Sequence, residues 1–439
     1  MRLRPLLLAA TLGALLAGPA PVRAADQLYV PLLTYRTGPF AGSGIPIADG
    51  MHDYLEMLNR RDGGIGGVPI AIDECETGYD AQKGVECYES TKGKGALVYN
   101  PYSTGITLQL IPKASVDRIP ILSMGYGLSA AAVGNVFPWI FNPPATYWDG
   151  ASAIVGYLGA QAGGLDRLRG QKIGYIFLDA GYGREPLPIL AQLAQRYGFE
   201  LATYPVPPNK MQDQSTQWLN VRRDRPDYMI MWGWGAMNPT AVKEAAKIRY
   251  PMDRFIGVWW SGGEDDARPA GAAAKGFMTL NFNAVGADYP AIRDIRRLVV
   301  EPGLSKVAAP ERVGENLYNR GVMNSVLIAE AIRNAQRLTG RRVVGPEDVR
   351  RGLEALDLTD ARLQELGLPG FMAPLKLSCA DHSGSNRVFV QAWDGTTWQR
   401  ASDWLVPMSD LVRPNLEAAA ADYAKANEPW PKRAEPCDS

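Results

Sequence analysis

The stretch KIGYIFLDAGYGREPLPILAQLAQRYGFELATY, residues 172–204, decides the fold. It opens on the nearly unbroken apolar run Lys172–Leu178, too short for a helix and closed by Asp179 and Gly181. Such a run reads as a strand buried on both faces. A helix is predicted over Leu187–Tyr197, and 201–204 reads as a second strand. Strand, helix and strand in succession make a unit whose two strands lie parallel.

The same alternation runs outward in both directions. Upstream, strands are predicted at 28–33, 68–72, 96–99 and 119–123, with helices at 82–92 and 107–115. The first helix carries Ile47, Met51, Leu55 and Leu58 on one stripe and stops at Asp62-Gly63-Gly64, where glycine can take the left-handed cap. Downstream of Asn142-Pro143-Pro144 the pattern resets: helices at 148–162, 216–223 and 239–249 alternate with strands at 228–232 and 255–258. A strand follows at 276–280, then helices at 290–300, 315–338 and 346–356. Residues 376–379 and 388–393 are expected to form an antiparallel hairpin. The fold class is therefore α/β, with parallel sheets covered by helices on both faces and no repeat of fixed period.

The N-terminus reads as a secretory signal peptide over residues 1–24. Arg2 and Arg4 precede the apolar run 6–17, and Val22-Arg23-Ala24 supplies a small-residue cleavage site. No cysteine follows that run, so a lipid anchor is not expected. The whole chain of 439 residues balances 46 basic against 46 acidic residues. Arg2, Arg4 and Arg23 are the only charges in 1–24, so the mature chain carries about −3, the wrong sign for nucleic acid. No later stretch reaches the ~18 apolar residues of a membrane span. The four cysteines suit an oxidising compartment and allow three pairings. Cys75 and Cys87 bracket a strand end and a helix, which leaves Cys379 and Cys437 to join the tail to the hairpin. Free thiols are the alternative. Zinc ligation is disfavoured, because neither pair has ligand spacing and the chain has two histidines.

Several segments in order resemble the type I periplasmic binding proteins of ABC importers, the branch of leucine/isoleucine/valine-binding proteins. They are Thr37-Gly38-Pro39, Leu58-Asn59 before Gly63-Gly64-Ile65-Gly66-Gly67, Ser103-Thr104-Gly105, and Ala180-Gly181-Tyr182-Gly183. The spacing from Pro226-Asp227 through Trp232 to Phe255-Ile256-Gly257 also fits. The resemblance covers about 28–395. It implies two doubly wound lobes joined by crossover strands and closing over a ligand cleft. On that reading lobe 1 is 25–143 plus 276–372, lobe 2 is 144–275 plus 373–407, and 408–439 is a C-terminal tail. It implies a periplasmic, monomeric, non-enzymatic protein that serves an ABC permease and its ATPase subunits, without a cofactor.

In open α/β sheets ligands sit beyond the carboxyl ends of strands. Those ends here carry Tyr102, Ser103, Thr104, Gly125, Tyr126, Tyr182, Trp232, Trp234, Trp259 and Trp260, with Tyr147 and Trp148 nearby. Ser103 and Thr104 precede a helix, where hydroxyls and free N–H groups can hold an anion or merely cap the helix. Amino-acid binders of this family keep an acid for the α-ammonium just after the strand matching 255–258. Trp259 or Trp260 falls there instead. Glu264, Asp265 and Asp266 come later, beside Gly262-Gly263, and are expected in a solvated loop. So many aromatic residues at the strand ends suggest a flat-walled apolar pocket suited to an aromatic or unsaturated carboxylate.

Catalytic patterns are absent. There is no phosphate loop, no dinucleotide fingerprint, no G-x-S-x-G and no H-E-x-x-H. His52 and His382 read as lone surface residues. The leading expectation is an importer's binding protein for a small organic solute. Branched-chain amino acids or amides are alternative ligands, a sensory ligand-binding subunit is an alternative role, and a secreted hydrolase is disfavoured.

Overall fold

The computed structural model describes residues 27–431 together with 433, 435 and 437. The expected signal peptide lies outside the described residues. The first sheet begins with β1 (Leu28–Thr34) and β2 (Ile70–Glu76), which pair in parallel along their whole length, Leu28 opposite Ile70 and Thr34 opposite Glu76. Between them runs α1 (Ala41–Asp62), ended by Gly63 in the left-handed region (φ 68°), its amide bonded to the Leu58 carbonyl. Then come α2 (Ala81–Lys92), tied to β2 by the Cys75–Cys87 disulfide, and α3 (Thr104–Asp117). Residues 96–99 lie on the other side of β1, where the Leu97 N–H bonds to the Tyr29 carbonyl at 3.1 Å. Tyr99 then bridges to Ile121 of β3 (Ile121–Leu122), which pairs in parallel with β4 (Ile140–Phe141).

The second lobe opens with α4 (Tyr147–Gln161), whose first turn is locked by a capping box between Thr146 and Asp149. Its sheet holds β5 (Lys172–Leu178), β6 (Glu200–Val206), β7 (Tyr228–Trp232), β8 (Phe255–Gly257) and β9 (Met278–Asn281), all parallel. The helices between them are α5 (Gly181–Arg184), α6 (Leu187–Tyr197), α7 (Ser215–Asp224), α8 (Met237–Lys247) and α9 (Glu264–Ala267). The chain then crosses back through α10 (Pro290–Ile295) to α11 (Asn316–Thr339), which packs on α1, and α12 (Pro346–Glu354), which packs on α11. Helices α1 and α11 pack backbone to backbone: a methyl on Gly50 would meet the Tyr318 carbonyl, and one on Gly321 the Ile47 carbonyl.

Three expectations about the end of the chain change. Residues 376–379 do not pair with 388–393. After β10 (Asp357–Leu358) and α13 (Asp360–Glu365), β11 (Leu375–Lys376) pairs with β10 instead. The hairpin is β12 (Phe389–Trp393) with β13 (Trp398–Arg400), and β12 adds antiparallel to β9 at the edge of the large sheet. Its turn is set by Asp394, whose carboxylate accepts the N–H groups of Thr396 and Thr397 at 2.8 and 2.9 Å. The return to the first lobe is also later than Gly276, because β9 still belongs to the large sheet, ordered β13-β12-β9-β8-β7-β5-β6. The expected tail contains an eighteen-residue helix, α14 (Ser409–Ala426), with Val412, Leu416 and Ala420 buried. Both disulfides are present, the second joining Cys379 to Cys437.

Candidate functional site

The carboxyl ends of both sheets face each other across one closed seam. From the first lobe come the loop before α3 and the loop after β3. Ser103 caps α3, its hydroxyl accepting the Ile106 N–H at 3.3 Å. Thr104 is buried, and its hydroxyl accepts the Gly127 N–H at 3.2 Å and meets the Tyr147 hydroxyl at 3.2 Å. From the second lobe come Trp259 and Trp260, one turn beyond β8. Both indole N–H groups donate to the Gly125 carbonyl, at 3.1 and 3.2 Å, and that of Trp260 also reaches the Tyr147 hydroxyl at 3.1 Å. A continuous chain of hydrogen bonds thus crosses the seam through Thr104, Tyr147, Trp260 and Gly125. Gly125 has φ +69°, and its non-glycine neighbours Met124 (φ 34°) and Tyr102 (φ 29°) are also left-handed. Strain of about 1–3 kcal/mol per such residue persists where the surroundings over-determine it, and it clusters at ligand clamps.

Around this seam the aromatic residues make one assembly. Tyr126 stacks on Trp260 at 4.0 Å, and Trp234 meets Trp260 edge-on at 5.3 Å. Tyr147 touches Tyr182, Trp232 and Trp259 at 5.3, 5.6 and 5.8 Å. Tyr102, Tyr126, Tyr147, Tyr182, Trp232, Trp234, Trp259 and Trp260 are all buried, whereas Trp148 is half-buried, with its N–H on the Glu185 carbonyl at 3.0 Å. Tyr182 donates to the Gly233 carbonyl at 3.0 Å. Three of these rings carry donors that meet no acceptor: the Tyr126 hydroxyl and the indole N–H groups of Trp232 and Trp234. At the rim lies a cavity of about 180 Å³, between Pro39, Gly42 and Ser43 on one side and Gly235 and Ala236, next to Trp234, on the other.

The acidic residues behave differently from expectation. Glu264 and Asp266 are buried rather than solvated. The Glu264 carboxylate accepts the Asn316 N–H at 3.0 Å and so caps α11, and Asp266 accepts the Gly263 N–H at 2.9 Å. His382 is also buried, stacked on Phe141 at 3.9 Å and bonded through Nδ1 to the Ile140 carbonyl at 2.7 Å. Sequence reasoning passed over Glu185, Phe282 and Arg320 altogether. Their only sequence marks are a glutamate after a short loop, an aromatic at a strand end and an arginine within a helix. Among the described residues no group of three or more His, Cys, Asp or Glu is placed to hold a metal ion, and no helix is long and apolar enough to cross a membrane.

Besides Asp266, whose pKa burial raises well above the usual carboxylate range, three carboxyls at or beside the seam hold protons unusually well. Burial pushes Asp149 up to about 6, Glu185 up to about 7, and Glu264, with the nearby Glu315 charge adding, up to about 8. Glu185 accepts the Ser129 N–H from the opposite lobe. A carboxyl with raised proton affinity stabilises the folded state fully below its unfolded value, and that stabilisation is lost as pH rises through the folded value. The share of these groups should therefore fall from about pH 4.5 to about pH 8. Glu185→Gln is expected to flatten its part of that fall, between about 4.5 and 7, in thermal melts across buffers. A variant profile parallel to the parent's would contradict the assignment.

Two α/β lobes meeting over a shared set of strand ends are the architecture of a small-molecule binder. The family model for periplasmic binding proteins matches residues 27–397, and the chain belongs to that family: the extracytoplasmic, non-enzymatic solute-binding proteins of ABC transporters. It is similar to a crystal structure from the Pseudomonas fluorescens group described as an ABC transporter permease. The identity is 40% over 93% of this chain and 99% of that one, with a TM-score of 0.86. The fold is shared with a branched-chain amino acid ABC transporter from Thermus thermophilus with bound valine, at 20% identity, 89% and 98% coverage and a TM-score of 0.75. It is shared too with a solute-binding protein from R. palustris in complex with benzoate, at 16% identity, 87% and 97% coverage and a TM-score of 0.66. No curated protein matches the chain.

Proposed function

We propose that this protein is exported by a signal peptide at 1–24, captures a small carboxylate with a flat unsaturated body, and delivers it as a monomer to an ABC permease and its ATPase subunits. The lobes are 25–143 with 282–372, and 144–281 with 373–407. Tyr102, Ser103, Thr104, Gly125 and Tyr126 face the ligand from the first, and Tyr147, Tyr182, Trp232, Trp234, Trp259 and Trp260 from the second. The observation that carries this reading is the pair of indoles, Trp259 and Trp260, both donating to Gly125 across the seam. They stand where amino-acid binders of the family keep an acid. The nearby acids are committed elsewhere, Asp266 to Gly263 and Glu264 to the α11 terminus. Neither of these two carboxylates is free for an α-ammonium, while ring faces favour an unsaturated body.

A thermal-shift screen of benzoate, cinnamate, leucine and valine tests the reading, since a ligand at 100 times its Kd stabilises by about 2.7 kcal/mol. The aromatic acids should raise the melting temperature most. The best of them should reduce the radius of gyration in small-angle scattering as the lobes close. Leucine or valine outperforming both aromatic acids would replace this reading with amino-acid transport. An unchanged radius would remove the hinge.

A further inference from the structure

Arg320, on the second turn of α11, is fully buried. Arginine is almost never buried unless paired, because an isolated charge in a low-dielectric interior is costly. Among the described residues no carboxylate pairs with it. Nε donates to Asn283 and Nη2 to the Asn281 amide oxygen, both neutral acceptors, while Nη1 meets no acceptor. Its faces are covered by rings, with Cζ 3.9 Å from the Phe282 centroid and 4.9 Å from that of Trp260. Burial lowers its pKa to about 9, which leaves it charged at neutral pH.

The surroundings supply donors and no counter-charge. Trp260 is the common neighbour of Arg320, Tyr126 and Trp234, and each of these carries an unmet donor: Nη1, the phenol O–H and the indole N–H. Three unmet donors, one of them cationic, are complementary to an anionic acceptor. The anchor anticipated on α3 is occupied by the protein itself, Ser103 by the helix cap and Thr104 by Tyr147 and Gly127. We propose that Arg320 is the ligand's anion anchor, binding its carboxylate through Nη1 with Tyr126 and Trp234 completing the donor set beside Trp260. This rests on the carboxylate-binding reading above and moves its charge recognition from α3 to α11.

Calorimetric titration of the mature protein with matched pairs tests it: sodium benzoate against benzamide, and sodium hexanoate against hexanamide. Each acid should bind the parent about 10–100-fold tighter than its amide, the range for a hydrogen bond to charge. Arg320→Met should erase that preference while leaving the amides within about 3-fold. A preference that survives in Arg320→Met, amides equal to acids in the parent, or no binding of any of the four probes would overturn the anchor. Hexanoate binding more tightly than benzoate, with the preference still lost in the variant, upholds the anchor and refutes only the flat-bodied ligand. Should Arg320→Met fail to fold, Arg320→Lys keeps the charge without the planar fork. About a 10-fold weaker benzoate would then support the proposal, and unchanged benzoate would overturn it.

Discussion

Trp260→Ala is expected to lower the stability of the ligand-free protein by about 3–5 kcal/mol, the usual cost of truncating a buried tryptophan. Several contacts go at once. The ring stacks on Tyr126 at 4.0 Å, meets Trp234 at 5.3 Å and lies under the Arg320 guanidinium at 4.9 Å. Its N–H bonds to Gly125 and Tyr147 disappear as well, although Gly125 keeps Trp259 and Tyr147 keeps Thr104. Those surviving partners limit the polar part of the loss, so the void left by the indole should dominate. Binding should fall further, by about 2–4 kcal/mol, because the same ring is a desolvated anchor. Trp218→Ala is the control: Trp218 is equally buried but packs under α7 against Phe255 at 5.5 Å, away from the seam. Urea unfolding should give comparable stability losses, and titration with the best-binding acid should separate the two variants. Equal affinity losses would mean that Trp260 acts only through the core.

What the sequence made legible follows from where the specifying interactions lie. The strand Lys172–Leu178, the helix Leu187–Tyr197 and the strand Tyr228–Trp232 fall where their apolar runs and flanking turns predict. In each the pattern is local and long enough to be unambiguous. Residues 376–379 are a short segment of mixed polarity, and nothing within it says which strand will pair with it. The decision came from β10, a partner about twenty residues upstream. The better hairpin signal was Asp394-Gly395, whose turn bonds are local. Helix α14 was hidden by its alanines and by Pro414, which leave no wide apolar stripe. At the site, the aromatic strand ends were readable because the fold dictates where strands end. The fates of Glu264 and Arg320 were not readable. Glu264 finds its role 52 positions away on the Asn316 amide, and Arg320 finds its ring partners on two other elements. A one-dimensional pattern carries no information on such pairings. Trp259 is a case in point: a glutamate there would set a carboxylate among the rings of Tyr147, Trp232 and Phe282, none of which the sequence places beside it.

Removing the Cys379–Cys437 disulfide by replacing both cysteines with serine should cost about 4 kcal/mol in the chain-entropy model. The bridge closes a loop of 58 positions, against 12 for Cys75–Cys87, whose removal should cost about 3 kcal/mol. The longer loop wins because the unbridged chain regains more conformations on unfolding. Whether the whole loss appears depends on how the C-terminal segment is held without the bridge. Helix α14 buries Val412, Leu416 and Ala420, and Arg413 donates to the Ala380 carbonyl. Past it, Trp430 packs on Phe137 and Tyr423 and donates to the Val136 carbonyl at 2.8 Å, while Arg433 pairs with the partly buried Glu354 at 2.6 Å. These contacts tie the segment to the loop after β3 and to α12, so it should unfold with the body of the protein. Urea midpoints of the double variant and the parent, both oxidised, measure the difference. A loss below about 1 kcal/mol, with early proteolysis confined to residues beyond Ala426, would mean that the segment detaches by itself and that the bridge guards only a local opening.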